Sequence, residues 1–444
     1  MSALAIVNAS LVNEGRIVAT DVLVRGDRIE RVGPGPVPAD AEVVDLAGKH
    51  LLPGLIDDQV HCREPGLTHK ATLASESLAA VCGGVTSFLD MPNTSPPATD
   101  RAALAAKKRI AAETCHANYG FYLGATHTNI EEIRRTSPED ACGIKVFMGA
   151  STGNMLVDDP ATLEAIFRDA RLPVATHCED TPMILEAERR ARAKYGEAVP
   201  MSEHATIRSA EACYKSSSLA VGLARRHGTR LHVLHLSTGR ELELFQAGPI
   251  GAKRITAEVC VHYLWFDESR YADLGTRIKC NPAIKTATDR AALRRAVVGD
   301  VIDVIATDHA PHTLEEKARG YFDAPSGLPL VQHSLLMLLE QHRDGLYSLE
   351  KIVEKAAHNP AQLFGIEGRG FVREGYFADL VAVDLQGTTR VNPAEVRYKC
   401  GWSPFEGTEF HSRVLLTVVN GVSVYADGRP TGARAARALQ FRAR

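Results

Sequence analysis

Five residues with ligand-type or acid–base side chains each close a short apolar run: His61, Lys145, His177, His235 and Asp308. They stand in LIDDQVHC, GIKVFMGAS, ATHCED, LHVLHLST and ATDHAPH. Imidazole nitrogen and carboxylate oxygen together suit a divalent ion such as Zn²⁺. A carboxylate beside an ion-activated water can take a proton and return it. One position departs from a simple metal pattern. Gln59-Val60-His61 looks like an H-x-H pair in which one imidazole has become an amide, whose neutral carbonyl oxygen suits hard cations better than Zn²⁺. By the two-residue period of a strand, Asp57 shares the face of Gln59 and His61 and can supply an oxygen in its place. Arg63 follows His61 by two positions, so both face one side, and a guanidinium suits a carboxylate.

The elements that must position these residues follow from hydrophobic period. Eight strand-like runs occur between residues 53 and 364: LIDDQVHC, VTSFLDM, NYGFYLG, GIKVFMG, PVATHCE, LHVLHLS, ITAEVCVHYLW and DVIATDHA. Amphipathic stretches such as DRAALAAKKRIAAETC, DPATLEAIFRDAR and SAEACYKSSSLAVGLARRHG lie between them. That alternation calls for a parallel sheet with crossover helices. Eight strands match a (β/α)8 TIM barrel, whose strand ends carry the chemistry; an open doubly wound sheet is the alternative. Residues 1–52 and 365–444 read instead as short strands with turn signals, so the two chain ends are expected to build one small β-sandwich domain around the barrel of 53–364. The polar segment 313–330, with Gly320 and Gly327, reads as an active-site loop.

Bulk properties narrow the partners. The 444 residues carry a net charge of −3, so no basic field draws the chain to nucleic acid or acidic lipid. The N-terminus lacks the basic start of a signal peptide and no apolar run has membrane length, so a cytoplasmic location is expected. Nine cysteines without a C-x2-C pair read as reduced, mostly buried thiols. Cys62 and Cys178 each follow a candidate ligand, and strand alternation turns their sulfurs away from it.

HCREPG, DMPNT, KVFMGAS, THCED, LHLST, TDHAPH and YKCGWSPFEG occur in the order seen in cyclic amidohydrolases of the amidohydrolase superfamily. Over essentially its whole length the chain resembles the dihydroorotases most. The resemblance implies a zinc-dependent, reversible opening of the cyclic amide of dihydroorotate to N-carbamoyl-aspartate in pyrimidine biosynthesis. It assigns His61, His177 and His235 to one or two zinc ions, and Lys145 to a CO2-carboxylated lysine bridging them. The carbamate is an anionic oxygen donor where an ammonium would repel the metal. It makes Asp308 both ligand and general base and acid, and Arg63, Asn93, Asn281 and His312 substrate contacts. Asn93 and Asn281 also suit turns beside Pro92 and Pro282. A homodimer or homotetramer is implied, and within the family some members are silent scaffolds of aspartate transcarbamoylase. Family members usually have histidine at position 59. Gln59 therefore leaves three readings open: a working dihydroorotase with an altered metal set, a silent scaffold, or an allantoinase- or hydantoinase-like enzyme.

Overall fold

The computed structural model describes residues 3–149 and 155–442. Ala150 and Ser151, the end of KVFMGAS, lie outside the described residues. Eight parallel strands form one sheet in chain order: Leu55–Val60, Val85–Asp90, Asn118–Gly124, Gly143–Phe147, Val174–His177, Leu231–Val233, Ile255–Cys260 and Val304–Ala306. The sheet closes on itself where Val60 bridges His309 in parallel and His61 N–H donates to His309 O at 2.7 Å. The expected barrel is thus present, and each of the eight runs supplies one strand.

The helices begin where the sequence provides caps. Asp100, Asp159 and Ser209 each accept a backbone N–H three residues on, starting Arg101–Thr114, Pro160–Asp169 and Ala210–His227. Gly228 ends the last of these in the left-handed conformation that glycine adopts without strain. One run divides. ITAEVCVHYLW is strand only to Cys260, and Val261–Trp265 turns into a short helix with His262, Tyr263 and Leu264 buried. A continuous apolar run fits either period, so the pattern could not mark the change.

The chain ends interleave in a nine-stranded mixed sheet. Leu380–Asp384 lies antiparallel to His50–Pro53, which pairs in parallel with Ala3–Asn13. Leu4, Ile6, Leu11, Val22, Leu51, Leu380 and Val418 form its own apolar core, apart from that of the barrel. The YKCGWSPFEG segment leaves this sheet and covers the barrel: Trp402 Nε1 donates to His312 O at 2.7 Å, and Lys399 N–H to Glu76 Oε1 at 3.1 Å. All nine cysteines are free, and eight are buried. No helix among the described residues is long and apolar enough to cross a membrane.

Candidate active site

Gln59, His61, Arg63, Asn93, Lys145, His177, His235, Asn281 and Asp308 line a single cavity at the C-terminal ends of the barrel strands. Phe147, Ala310, Ser326 and Gly327 complete it. Three of the lining residues, Arg63, His235 and Asp308, hold positive φ of 64°, 41° and 49°. Non-glycine residues seldom do so, and such strain gathers where strand ends must aim side chains at a site. Gly327, at φ +142°, admits no side chain, because a Cβ would stand 2.4 Å from Ala310 O. A larger hollow of about 600 Å³ lies by Glu14, Lys351, His358 and Arg442, far from these strand ends. Its arginines are already paired, Arg369 with Asp379, Arg373 with Glu14 and Arg442 with Glu367.

One wall is imidazole-rich. His177 Nε2–H donates to Glu179 Oε2 at 3.1 Å, and Arg208 pairs with the same carboxylate. That leaves His177 Nδ1 as a lone pair facing His235 Nε2 at 3.0 Å. Two nitrogens about 2.0–2.1 Å from one zinc ion would stand about 3.3 Å apart, so the pair suits a shared ion. Burial lowers the proton affinity of both rings, and His177 lowers that of His235 further. Lys145 is buried with Nζ 4.7 Å from the centre of the Phe147 ring. Burial brings its pKa down to about 8, so a useful fraction of the amine is neutral near physiological pH.

The opposite wall centres on Asp308. His61 Nδ1 lies 2.7 Å from Asn93 Oδ1, which can only accept, so this nitrogen carries the proton. His61 Nε2 then stands 3.0 Å from Asp308 Oδ1, where either a proton or a cation between them would satisfy both atoms. Gln59 Nε2 donates to the same Oδ1 at 3.1 Å, while its Oε1 lies 3.7 Å from Cys260 Sγ. Gln59 therefore serves Asp308 as a hydrogen-bond donor. Burial opposes charge on Asp308, but the His61 hydrogen bond and the nearby His61, His235 and His262 rings hold its carboxyl well below the usual range.

Arg63 is 2% exposed, donates from Nε to Pro311 O and from Nη2 to His312 Nε2, and has no carboxylate at ion-pair distance among the described residues. Burial lowers its affinity for the proton.

Two expected residues lie elsewhere. Asp57 does not line the cavity: Thr307 Oγ1 and N–H both donate to its carboxylate, at 2.6 and 3.2 Å. The strand register shifts between Asp57 and Val60, which breaks the alternation on which the expectation rested. Asp57 thus supplies no oxygen in place of Gln59. His312 sits behind Arg63, with Nδ1 3.0 Å from Lys70 Nζ, and acts on the cavity through the guanidinium. Sequence reading missed Glu179, although its place two residues after His177 was the available signal. It also missed Arg208, Ser326 and Phe147. Cys62 and Cys178 point away from the cavity, as alternation requires.

Fold and donor set define a class: a parallel barrel whose strand ends gather imidazoles, a lysine and a carboxylate around one cavity. The amidohydrolase family profile matches residues 50–424. The dihydroorotase of Methanothermobacter thermautotrophicus is 33% identical over 419 residues, covering 93% of this chain and 92% of the relative. The allantoinase of Solibacter usitatus is 31% identical over 434 residues, covering 96% and 94%. The structure of an L-hydantoinase (dihydropyrimidinase) from Arthrobacter aurescens superposes with a TM-score of 0.93 at 26% identity, covering 98% of this chain and 99% of that one. The chain belongs to the amidohydrolase family, as a hydrolase acting on cyclic amides.

Proposed function

We propose that the protein is a zinc-dependent dihydroorotase, interconverting dihydroorotate and N-carbamoyl-aspartate. The observation that carries this reading is Arg63, a buried guanidinium beside the donor cluster with no carboxylate at ion-pair distance among the described residues. A buried charge without a partner is costly, and a substrate carboxylate would complete it. Dihydroorotate brings that carboxylate on its ring; allantoin and simple hydantoins do not.

The donors fit zinc: His177 and His235 converge, Glu179 orients one of them, and Lys145 can become a carbamate. Asp308 and His61 supply a second lone-pair cluster across the cavity. Bound zinc would polarise the ring carbonyl and make water a stronger acid. Gln59 directs an N–H toward Asp308, which favours one firm ion on the Lys145–His177–His235 wall. The chain's own residues then do the following. Arg63 and Asn93 orient the substrate carboxylate, with Asn281 beside the ring. Asp308, held ionised, takes a proton from the attacking water and delivers it to the ring nitrogen as the C–N bond opens. In the reverse direction the same carboxylate removes that proton and the ring closes.

Zinc-replete protein is expected to consume dihydroorotate, followed by ultraviolet absorbance, and to form it from N-carbamoyl-aspartate. Metal-replete protein with no turnover in either direction would contradict the proposal.

A further inference from the structure

Below the cavity, inside the barrel, Asp58, His232 and Glu258 converge from the first, sixth and seventh barrel strands. All three are fully buried, and their ligand atoms lie within 4.8 Å of one another. His232 Nε2 stands 3.1 Å from Asp58 Oδ2 and 3.6 Å from Glu258 Oε2. These separations bracket the roughly 3.3 Å edge of a tetrahedron with donors about 2.0–2.1 Å from its centre. Both Asp58 oxygens, Glu258 Oε2 and His232 Nε2 lack a well-aligned hydrogen bond.

The outer contacts aim the donors inward. Thr256 Oγ1 donates to Leu231 O at 3.1 Å, so its lone pair receives the Nδ1–H of His232 at 2.8 Å. The Nε2 lone pair is thereby turned toward the two carboxylates, the arrangement in which proteins hold a metal-binding imidazole. Glu258 Oε1 is occupied by the His235 N–H at 2.9 Å and the Cys260 thiol at 3.3 Å, which leaves Oε2 for the centre. Charge points the same way. Two carboxylates and a neutral imidazole carry −2 in a dry interior, a proton on His232 leaves −1, and a divalent cation leaves none.

We propose that Asp58, His232 and Glu258 form a buried structural site for a divalent ion of the zinc type, separate from the cavity donors. Asp58, with both oxygens free, can bind through both and close the shell without water. Through Glu258 the ion would brace the backbone of His235, one of the cavity donors. The competitor is a proton: burial opposes it, yet Asp58 and Glu258 together raise the His232 pKa to about 9.

The test uses the full chain expressed with zinc and dialysed, still folded, against EDTA. All three side chains are shut off from solvent, so one zinc per chain should remain until guanidinium unfolds the protein. Anomalous diffraction at the zinc edge should place that ion among the three side chains. Asp58→Asn and Glu258→Gln should abolish the retained zinc, whereas His177→Asn should spare it. Folded protein stripped to zero zinc, with no anomalous peak at this position, would overturn the proposal in favour of the proton. So would retained zinc that depends on His177 and not on Asp58. If the core variants fail to fold, the anomalous map of the unaltered protein decides. These readouts count ions, so a failure of the dihydroorotase reading would leave them intact.

Discussion

On one side of the cavity, His177 Nδ1 and His235 Nε2 stand 3.0 Å apart, backed by a Glu179–Arg208 pair. On the other, Asp308 faces His61 at the same distance, but a glutamine N–H shares its oxygen. Both walls rise from strand ends of one barrel, and both are buried. They differ in what backs the donors. A carboxylate behind His177 raises its basicity and fixes its tautomer toward an ion. A neutral amide beside Asp308 instead adds a positive dipole where an ion would sit. The first wall is therefore suited to holding metal, and the second to handling a proton and, through Arg63, the substrate.

The division can be broken most severely at Asp308. Asp308→Asn should lower kcat by about 10²- to 10⁴-fold, the usual range for a lost general base, while zinc analysis shows the ion on the opposite wall retained. Loss in this variant of the zinc that depends on His177 would mean that the walls are not separate. Arg63→Lys removes the planar fork. It should reduce kcat/KM for dihydroorotate by about 10- to 100-fold, as expected for a charge-assisted contact worth about 1.5–3 kcal/mol, with zinc content unchanged. Unaltered kinetics would show that Arg63 is not the carboxylate clamp.

The smallest effect concerns pH and the metal-holding wall. Burial lowers the Lys145 pKa to about 8, so the neutral amine that reacts with CO2 grows as pH rises through 8. At fixed dissolved CO2, the neutral fraction climbs from roughly a tenth at pH 7 to nine-tenths at pH 9. Metal-stripped protein given zinc and CO2 should accordingly regain activity about ten times faster at pH 9 than at pH 7. A rate independent of pH, or of CO2, would argue against a carbamate on Lys145.

The two walls were not equally legible in the sequence. Strand ends carrying His177, His235, Lys145 and Asp308 stood out because a polar residue closing an apolar run is conspicuous, and amphipathic stretches such as DRAALAAKKRIAAETC marked the helices between them. Asp57 misled because a register shift interrupts the alternation that seemed to align it with Gln59. His312 was placed one layer too close, since linear spacing does not show that Arg63 stands in front of it. Asp58, His232 and Glu258 were invisible for another reason. Each lies within a strand and reads as an isolated buried polar residue until barrel closure brings the first strand near the sixth and seventh. The role of Gln59 was hidden as well, because only the folded barrel decides which end of the amide meets Asp308.

The central claim is that the cavity is built for a ring bearing a carboxylate. Dihydrouracil has the dihydroorotate ring without that group, so comparing kcat/KM for the two on the zinc-loaded enzyme isolates the contact with Arg63. A preference for dihydroorotate of about 100-fold or more, largely lost in Arg63→Lys, is the predicted result. Equal or better use of dihydrouracil, or of allantoin, would contradict it.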